Sequence, residues 1–138
     1  MMISTTNKPH IDDVWYLASC YSTPMEPGRE AWKVRHFRHH HVQAVGHALY
    51  KMGYTLIEPI ASSHYKAEQF GSVPSYEYWQ KRDRRLIDVC AGIIVLNMNG
   101  WEDSVGVTDE VKYAKLQGKP VYLLHYNLDK EEARFEKI

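Results

Sequence analysis

The sequence predicts an α/β fold in one domain, because short apolar runs alternate with segments of helical periodicity along its 138 residues. The runs at residues 14–18 and 92–96 are continuously apolar, as expected for parallel strands buried on both faces. Between the runs, apolar side chains recur every three or four positions, and glycine or proline marks the ends of segments. These observations predict βαβ units and a parallel sheet.

The first strand is predicted at residues 14–18, and a polar connection at residues 19–30 follows it. From residue 31 the helical spacing predicts a helix of about five or six turns. Gly53 follows where a left-handed residue commonly ends a helix. The inward face is predicted to contain Val34, Phe37, His41, Val45, Ala48 and Met52.

The second strand is predicted at residues 54–60, with a loop at residues 61–74. Ser75 is a favoured N-cap residue and Glu77 suits a first helical turn, so a second helix is predicted to begin there. Its partly apolar stripe is formed by Tyr76, Trp79, Asp83, Leu86, Ile87 and Cys90.

A third strand is predicted at residues 92–96, a loop at 97–106, and a helix that ends at Gly118. The fourth strand is predicted at residues 121–125. The inward face of the helix between them comprises Val107, Val111 and Ala114. The charged tail at 129–138 has helical propensity but weak amphipathicity, so a last helix, a partner contact and a frayed end all stay open.

Right-handed crossovers between these strands predict a doubly wound, flavodoxin-like sheet of order 2-1-3-4, with a possible fifth element. The domain is predicted at residues 14–128, between a polar segment at 1–13 and the tail at 129–138. The winding reverses between strands one and three, and this switch point is the expected binding crevice. It would bring together Ser19, Tyr21, Asn97, Ser104 and Glu110.

The charge balance argues against polymer or membrane partners. Lys and Arg total 17, as do Asp and Glu, so no basic field attracts nucleic acid or an anionic membrane. The apolar run at 14–18 is too short for a signal peptide or a membrane span, which predicts the cytoplasm. Cys20 and Cys90 are expected to be reduced thiols, because each lies among apolar residues and they are far apart in sequence.

Five motifs within residues 14–125 carry a family resemblance. They are Tyr-Leu-Ala-Ser at 16–19, the strand at 53–59, Asp83 followed by Leu86 and Asp88, Ser-x-Gly-Val-x-x-Glu at 104–110, and Gly-Lys-Pro-Val at 118–121. Together they resemble the nucleoside 2-deoxyribosyltransferase superfamily. The motif at 104–110 is its most specific part and is similar to the branch that hydrolyses nucleoside 5′-monophosphates. The loop at 97–103 looks longer than in that superfamily.

The resemblance implies that Glu110 attacks the anomeric carbon and that Asp83 passes a proton to the base. It implies that Ser104 and Gly106 hold a 5′-phosphate at a helix start, and that sugar or phosphate is contacted by Tyr16, Ser19 and Tyr21. It also implies a homo-oligomer that binds a small nucleoside or nucleotide and needs no cofactor. The chemistry of N-glycosidic bond cleavage requires the same residue types without reference to the family: one carboxylate facing the sugar and one acid that protonates the base.

Several of these residues also have a purely structural interpretation. Glu110 is predicted in a first helical turn, where an acid stabilises its own helix and stays ionised at neutral pH. Asp83 lies within a run of four cations, which favours a surface ion pair and an ionised carboxylate. Ser104 could be a plain N-cap, and Tyr16 an aromatic core residue.

Five histidines crowd the first helix, and the i, i+4 spacing of His36 and His40 invites a metal interpretation. A solvated helix face is favoured for these histidines (His36, His39, His40, His41 and His47), because no His-Glu-x-x-His pattern or third ligand is evident. Arg35 and Arg38 either reach a substrate phosphate or are solvated.

The sequence therefore favours cleavage or transfer at the N-glycosidic bond of a nucleoside or nucleotide. A non-catalytic nucleotide-binding or sensing module is the alternative from another class. A metal-dependent hydrolase would require an activity that a chelator abolishes.

Overall fold

The computed structural model describes residues 7–20, 28–60 and 76–138. The predicted loop at 61–74, Ser75 and Tyr21 lie outside these residues. The described helices and strands are β1 (Val14–Ala18), α1 (Gly28–Lys51), β2 (Thr55–Ile57), α2 (Tyr76–Asp88), β3 (Gly92–Leu96), α3 (Val105–Leu116), β4 (Val121–Asn127) and β5 (Glu132–Lys137). A short 3-10 turn at Trp101–Asp103 precedes α3.

The strands form one sheet of order β2-β1-β3-β4-β5. β1 pairs in parallel with β2 and β3, β3 pairs in parallel with β4, and β5 is antiparallel to β4. Tyr16 of β1 lies between Ile57 of β2 and Ile93 of β3. This arrangement confirms the predicted α/β, flavodoxin-like fold, its strand order and its fifth element.

α1 ends as predicted, but the face it turns to the sheet differs from the predicted one. Gly53 has a φ of 100°, the left-handed conformation that stops a helix. Phe37 and Met52 were predicted to face inward, yet they are 68% and 46% exposed. The buried stripe is instead His39, Val42, Val45 and Leu49. Val45 belongs to both stripes, but His39, which was expected on a solvated face, is buried, so the predicted face was rotated about the helix axis.

The charged tail forms a strand, so its helical propensity gave the wrong element. β5 pairs along the edge of β4, where tertiary pairing outweighs a weak local helical preference. Its side chains alternate, with Ala133 and Phe135 packed against the core. The Phe135 ring lies 5.8 Å from the Tyr54 ring and 6.4 Å from the Tyr122 ring, measured between centroids.

The second strand is shorter than predicted, because Pro59 and Ile60 already have helical geometry. Proline lacks the N–H that a strand would need and is tolerated in a first helical turn. The core is formed mainly by β1, β3 and β4 together with the inward faces of the helices. Both Cys20 and Cys90 are buried free thiols, as predicted, and burial raises the pKa of Cys90 to about 11.

Within the described ranges, none of the helices has the length and apolar character needed to cross a membrane.

Candidate functional site

Three predicted site residues from three different elements meet on one face of the sheet. The Tyr16 hydroxyl of β1 donates a hydrogen bond to Oε2 of Glu110 on α3. Asp83 of α2 lies beside Glu110 and raises its pKa through like charge and hydrogen bonding. Right-handed crossovers put α2 and α3 on the same face of the sheet, where they pack against each other. The fold therefore places two carboxyl groups side by side above the tyrosine.

Glu110 lies one turn deeper in its helix than predicted. α3 begins at Val105, so Glu110 is in the second turn and the first turn contains no acidic residue. The free N–H groups that stabilise an anion are confined to the first turn. Glu110 therefore contacts Tyr16 and Asp83 rather than the helix terminus.

The pKa of Glu110 is raised well above its usual value of 4.5. Burial of the carboxyl group is the largest cause, because a low dielectric disfavours the charged form. The hydrogen bond from Tyr16 opposes this change, whereas Asp83 and Asp109 add to it through like charge, and Asp83 also through its hydrogen bond. Glu110 therefore keeps its proton to higher pH than an ordinary glutamate, which is the opposite direction from the effect expected at a helix start.

Tyr16 is a permanently neutral donor in this cluster. Its pKa is raised well above 10.0, first by burial and then by the charges of Glu110 and Asp83. Its side chain is fully buried within β1. Tyr16 is thus a core aromatic residue, as one interpretation predicted, and also a hydrogen-bond donor to Glu110, which was not predicted.

Asp83 is held by its neighbour in sequence. Nε and Nη2 of Arg82 both donate to Oδ1 of Asp83, at 3.0 and 2.8 Å. The Arg82 guanidinium also lies over the Trp79 ring, 4.5 Å from its centroid. The predicted ion pair exists, and it coexists with the contact between Asp83 and Glu110.

An ion pair between α2 and α3 lies next to the contact of Asp83 with Glu110. Nη2 of Arg84 on α2 donates to Oδ1 of Asp109 on α3 at 2.9 Å. The Arg84 guanidinium lies 5.0 Å from the Tyr113 ring centroid, and the Tyr113 hydroxyl donates to Asp88 at 2.6 Å. These contacts fix α2 against α3. They were not predicted, although adjacent Asp83-Arg84 and Asp109-Glu110 dipeptides were a usable signal.

Ser104 and Gly106 lie at the start of α3, apart from the carboxyl pair. Oγ of Ser104 accepts a hydrogen bond from the Val107 N–H at 3.2 Å, so Ser104 is the N-cap. A Cβ atom on Gly106 would lie 3.9 Å from this Oγ, with nothing closer in the described part of the chain. Packing therefore does not require glycine here, and the space above it is open to a ligand.

Ser19 is buried at the carboxyl end of β1, and its hydroxyl has no hydrogen-bond partner among the residues that the structure describes. Nearby, the Cys20 thiol and Nη2 of Arg38 both approach the Asn99 carbonyl oxygen, at 3.7 and 3.3 Å. Arg38 of α1 thus reaches the loop after β3 at the predicted switch point.

A further polar chain lies where β3 and β4 end. Nδ2 of Asn97 lies 2.9 Å from Nδ1 of His125, and Nε2 of His125 lies 2.9 Å from Oε1 of Glu136 on β5. His125 was predicted only as a strand residue. Glu136 reaches it because β5 pairs with β4, which the sequence pattern did not indicate.

The surface formed by the described residues includes grooves of about 410 and 510 Å³. The first is lined by α3 and Trp101, and the second by the chain between α3 and β4 together with the C-terminus. Neither is lined by Tyr16, Asp83 or Glu110. The half-buried, adjacent carboxyl groups of Asp83 and Glu110, rather than these grooves, are the candidate catalytic site.

Comparison with known proteins gives a family without an assigned activity. The sequence profile of the family described as "Domain of unknown function (DUF1937)" matches residues 13–126. No curated protein matches the chain. The matched region extends from the start of β1 into β4 and includes Tyr16, Asp83 and Glu110. The chain therefore belongs to the DUF1937 family.

Proposed function

We propose that this protein cleaves or transfers the N-glycosidic bond of a nucleoside or nucleoside 5′-monophosphate, with Glu110 as the nucleophile. The observation that carries the proposal is the Tyr16–Glu110–Asp83 cluster, in which the Glu110 carboxyl group accepts a hydrogen bond from the buried Tyr16 hydroxyl and lies beside the carboxyl group of Asp83. Two adjacent carboxyl groups that share a proton supply an acid and a nucleophile at the same pH.

The first step uses this shared proton. Glu110 must be ionised to attack, so its proton moves to Asp83 across the hydrogen bond between them. A Glu110 oxygen then forms a bond to the anomeric carbon while the bond to the base breaks. The electron pair goes to the base nitrogen, which takes the proton from Asp83. The Tyr16 hydroxyl holds the attacking carboxylate in place.

In the second step, water or another base attacks the anomeric carbon, and the ester bond to Glu110 breaks. Asp83 accepts the proton of the attacking water, and the pair returns to its starting state. The open space over Gly106, beside the half-buried Ser104, is where we place a 5′-phosphate. Backbone N–H groups at a helix start favour an anion there.

The test is release of free base from a panel of ribo- and deoxyribonucleosides and their 5′-monophosphates, followed by chromatography. We expect one class to react, and both Glu110→Gln and Asp83→Asn to slow release by about a thousandfold or more. Glu102→Gln, which changes an exposed acid in the turn before α3, is the matched control and should leave the rate unchanged. Equal rates in wild type and Glu110→Gln would contradict the proposal.

A nucleotide-binding or sensing module is the second candidate. Two features favour it: the raised pKa of Glu110 disfavours the ionised form that a nucleophile needs, and Arg82 occupies one oxygen of Asp83. This candidate predicts that a nucleotide from the panel raises the melting temperature without being consumed. Base release that depends on Glu110 would exclude it.

A further inference from the structure

Two histidine side chains on α1 form a pair outside the candidate catalytic site. Nε2 of His36 and Nε2 of His40 lie 2.9 Å apart, one helical turn from each other. Their rings meet edge to face, with centroids 4.4 Å apart and an interplanar angle of 86°. His40 is exposed and His36 is partly exposed. The pair therefore lies at the surface of the helix.

We propose that His36 and His40 form a two-imidazole site for a divalent transition-metal ion, Cu²⁺ or Ni²⁺. In the metal-free protein the two nitrogens share one proton, because one imidazole must donate and the other accept. A metal ion that accepts both lone pairs replaces this proton, and imidazole is a good ligand for these ions.

The distance between the two Nε2 atoms determines the ligand–metal–ligand angle that the site can offer. With metal–nitrogen bonds of about 2.05 Å, nitrogens at the observed separation of 2.9 Å subtend an angle of roughly 90° at the metal. A tetrahedral ion would need a separation of about 3.3–3.4 Å with the same bonds. Right angles between neighbouring ligands are typical of Cu²⁺ and Ni²⁺, whereas Zn²⁺ prefers tetrahedral sites.

Within the part of the chain that the structure describes, the two imidazoles are the ligands for this site. The next imidazole, His39, is buried, and its ring centroid lies 5.5 Å from that of His40 and 6.4 Å from that of His36. Nε2 of His39 lies 3.5 Å from Nε2 of Gln43. Among the described residues, no group of three or more His, Cys, Asp or Glu side chains is placed to hold a metal.

The charges on the same helix limit the affinity. Arg35 and Arg38 lie on the same turns of α1 as the two histidines and oppose the binding of a cation. We therefore expect micromolar rather than nanomolar dissociation constants. The site is independent of the carboxyl pair, so loss of base release would not affect it.

The test is isothermal titration of the full chain, prepared without a histidine tag, with CuCl₂, NiCl₂ and ZnCl₂. We expect one Cu²⁺ per chain at this site, with affinities in the order Cu²⁺, Ni²⁺, Zn²⁺. Because loss of an outer-shell group already costs about 10–100-fold, His36→Ala and His40→Ala should each weaken Cu²⁺ and Ni²⁺ binding by about tenfold or more. His47→Ala, an exposed histidine elsewhere on α1, is the control and should leave binding unchanged.

A spectroscopic measurement separates this site from adventitious copper. The electron paramagnetic resonance spectrum of the one-to-one Cu²⁺ complex should show hyperfine splitting from two nitrogens, and from one in either single variant. Circular dichroism melts establish that the variants are folded. Unchanged affinity in both His36→Ala and His40→Ala, or Zn²⁺ binding tighter than Ni²⁺, would overturn the proposal.

Discussion

At the residue scale, the environment of Glu110 explains both its proposed reactivity and a cost in stability. The carboxyl group is buried next to two aspartates, which raises its pKa, and one hydrogen bond from Tyr16 counteracts this effect. Strongly shifted pKa values are common at functional sites, where the surroundings disfavour one protonation state of a group. Two substitutions test these effects separately: one removes the Glu110 carboxyl group, and the other removes the hydrogen bond from Tyr16.

Glu110→Gln should stabilise the protein increasingly as pH rises. In the unfolded chain the carboxyl group loses its proton near pH 4.5, whereas in the folded protein it keeps the proton to higher pH. The folded state thus binds more protons in this window, so wild-type stability falls as pH rises from about 4.5 through the raised pKa. Glutamine does not titrate. Melting temperatures from pH 4 to 9 should show a variant-minus-wild-type difference that grows with pH, and a difference independent of pH would contradict the assignment.

Tyr16→Phe should move the pH dependence of catalysis. The hydrogen bond from Tyr16 lowers the pKa of Glu110, so its loss raises that pKa further. The acidic limb of kcat/KM, which reports the Asp83–Glu110 pair, should shift to higher pH. Tyr126→Phe, at a half-buried tyrosine near the end of β4, is the control. A limb that does not move would show that Tyr16 has only a packing role.

At the element scale, the position of α2 relative to the sheet depends on Lys119. Its Nζ donates to the carbonyl oxygens of Ile87, Asp88 and Cys90, at 2.8, 2.7 and 2.8 Å. These carbonyl groups lie at the end of α2, where a cation satisfies both the hydrogen bonds and the helix dipole. Lys119 therefore acts as a C-terminal cap for the helix that carries Asp83.

Lys119→Ala should lower the free energy of unfolding by about 1.5–2 kcal/mol, because it leaves three carbonyl groups without their charged donor. Urea unfolding midpoints measure this change. Lys115→Ala is the matched control, since Lys115 is an exposed lysine near the end of α3, and it should change the stability by less than about 0.5 kcal/mol. Equal effects of the two substitutions would mean that Lys119 does not cap α2.

Some helices and strands were predicted accurately from the sequence, and others were not. The apolar runs of β1 and β3 predicted their exact bounds, because strands buried on both faces leave an unmistakable pattern. The face of α1 was missed because it buries His39, and β5 was missed because its pairing with β4 is a tertiary effect. Periodicity reports hydrophobicity along the chain, but not which partner lies alongside.

At the scale of the whole molecule, the sheet order brings distant residues together. Tyr16 and Glu110 are 94 positions apart in sequence, and they meet because β1 is an interior strand paired with β3 and α3 packs back over the sheet. The family resemblance suggested both residues, but not that Tyr16 donates to Glu110 or that the helix start lies one turn away. The turn that Glu110 occupies depends on the residue at which α3 begins, and sequence patterns define a helix start only to within a few residues.

The most direct measurement of the central claim is the intact mass of the protein after reaction with a 2′-fluoro analogue of the reactive panel member, which slows hydrolysis of a glycosyl ester. We predict a mass increase of one glycosyl group, located on Glu110 by peptide sequencing and absent in Glu110→Gln. Base release with no covalent adduct, or an adduct on another residue, would contradict the assignment of Glu110 as the nucleophile.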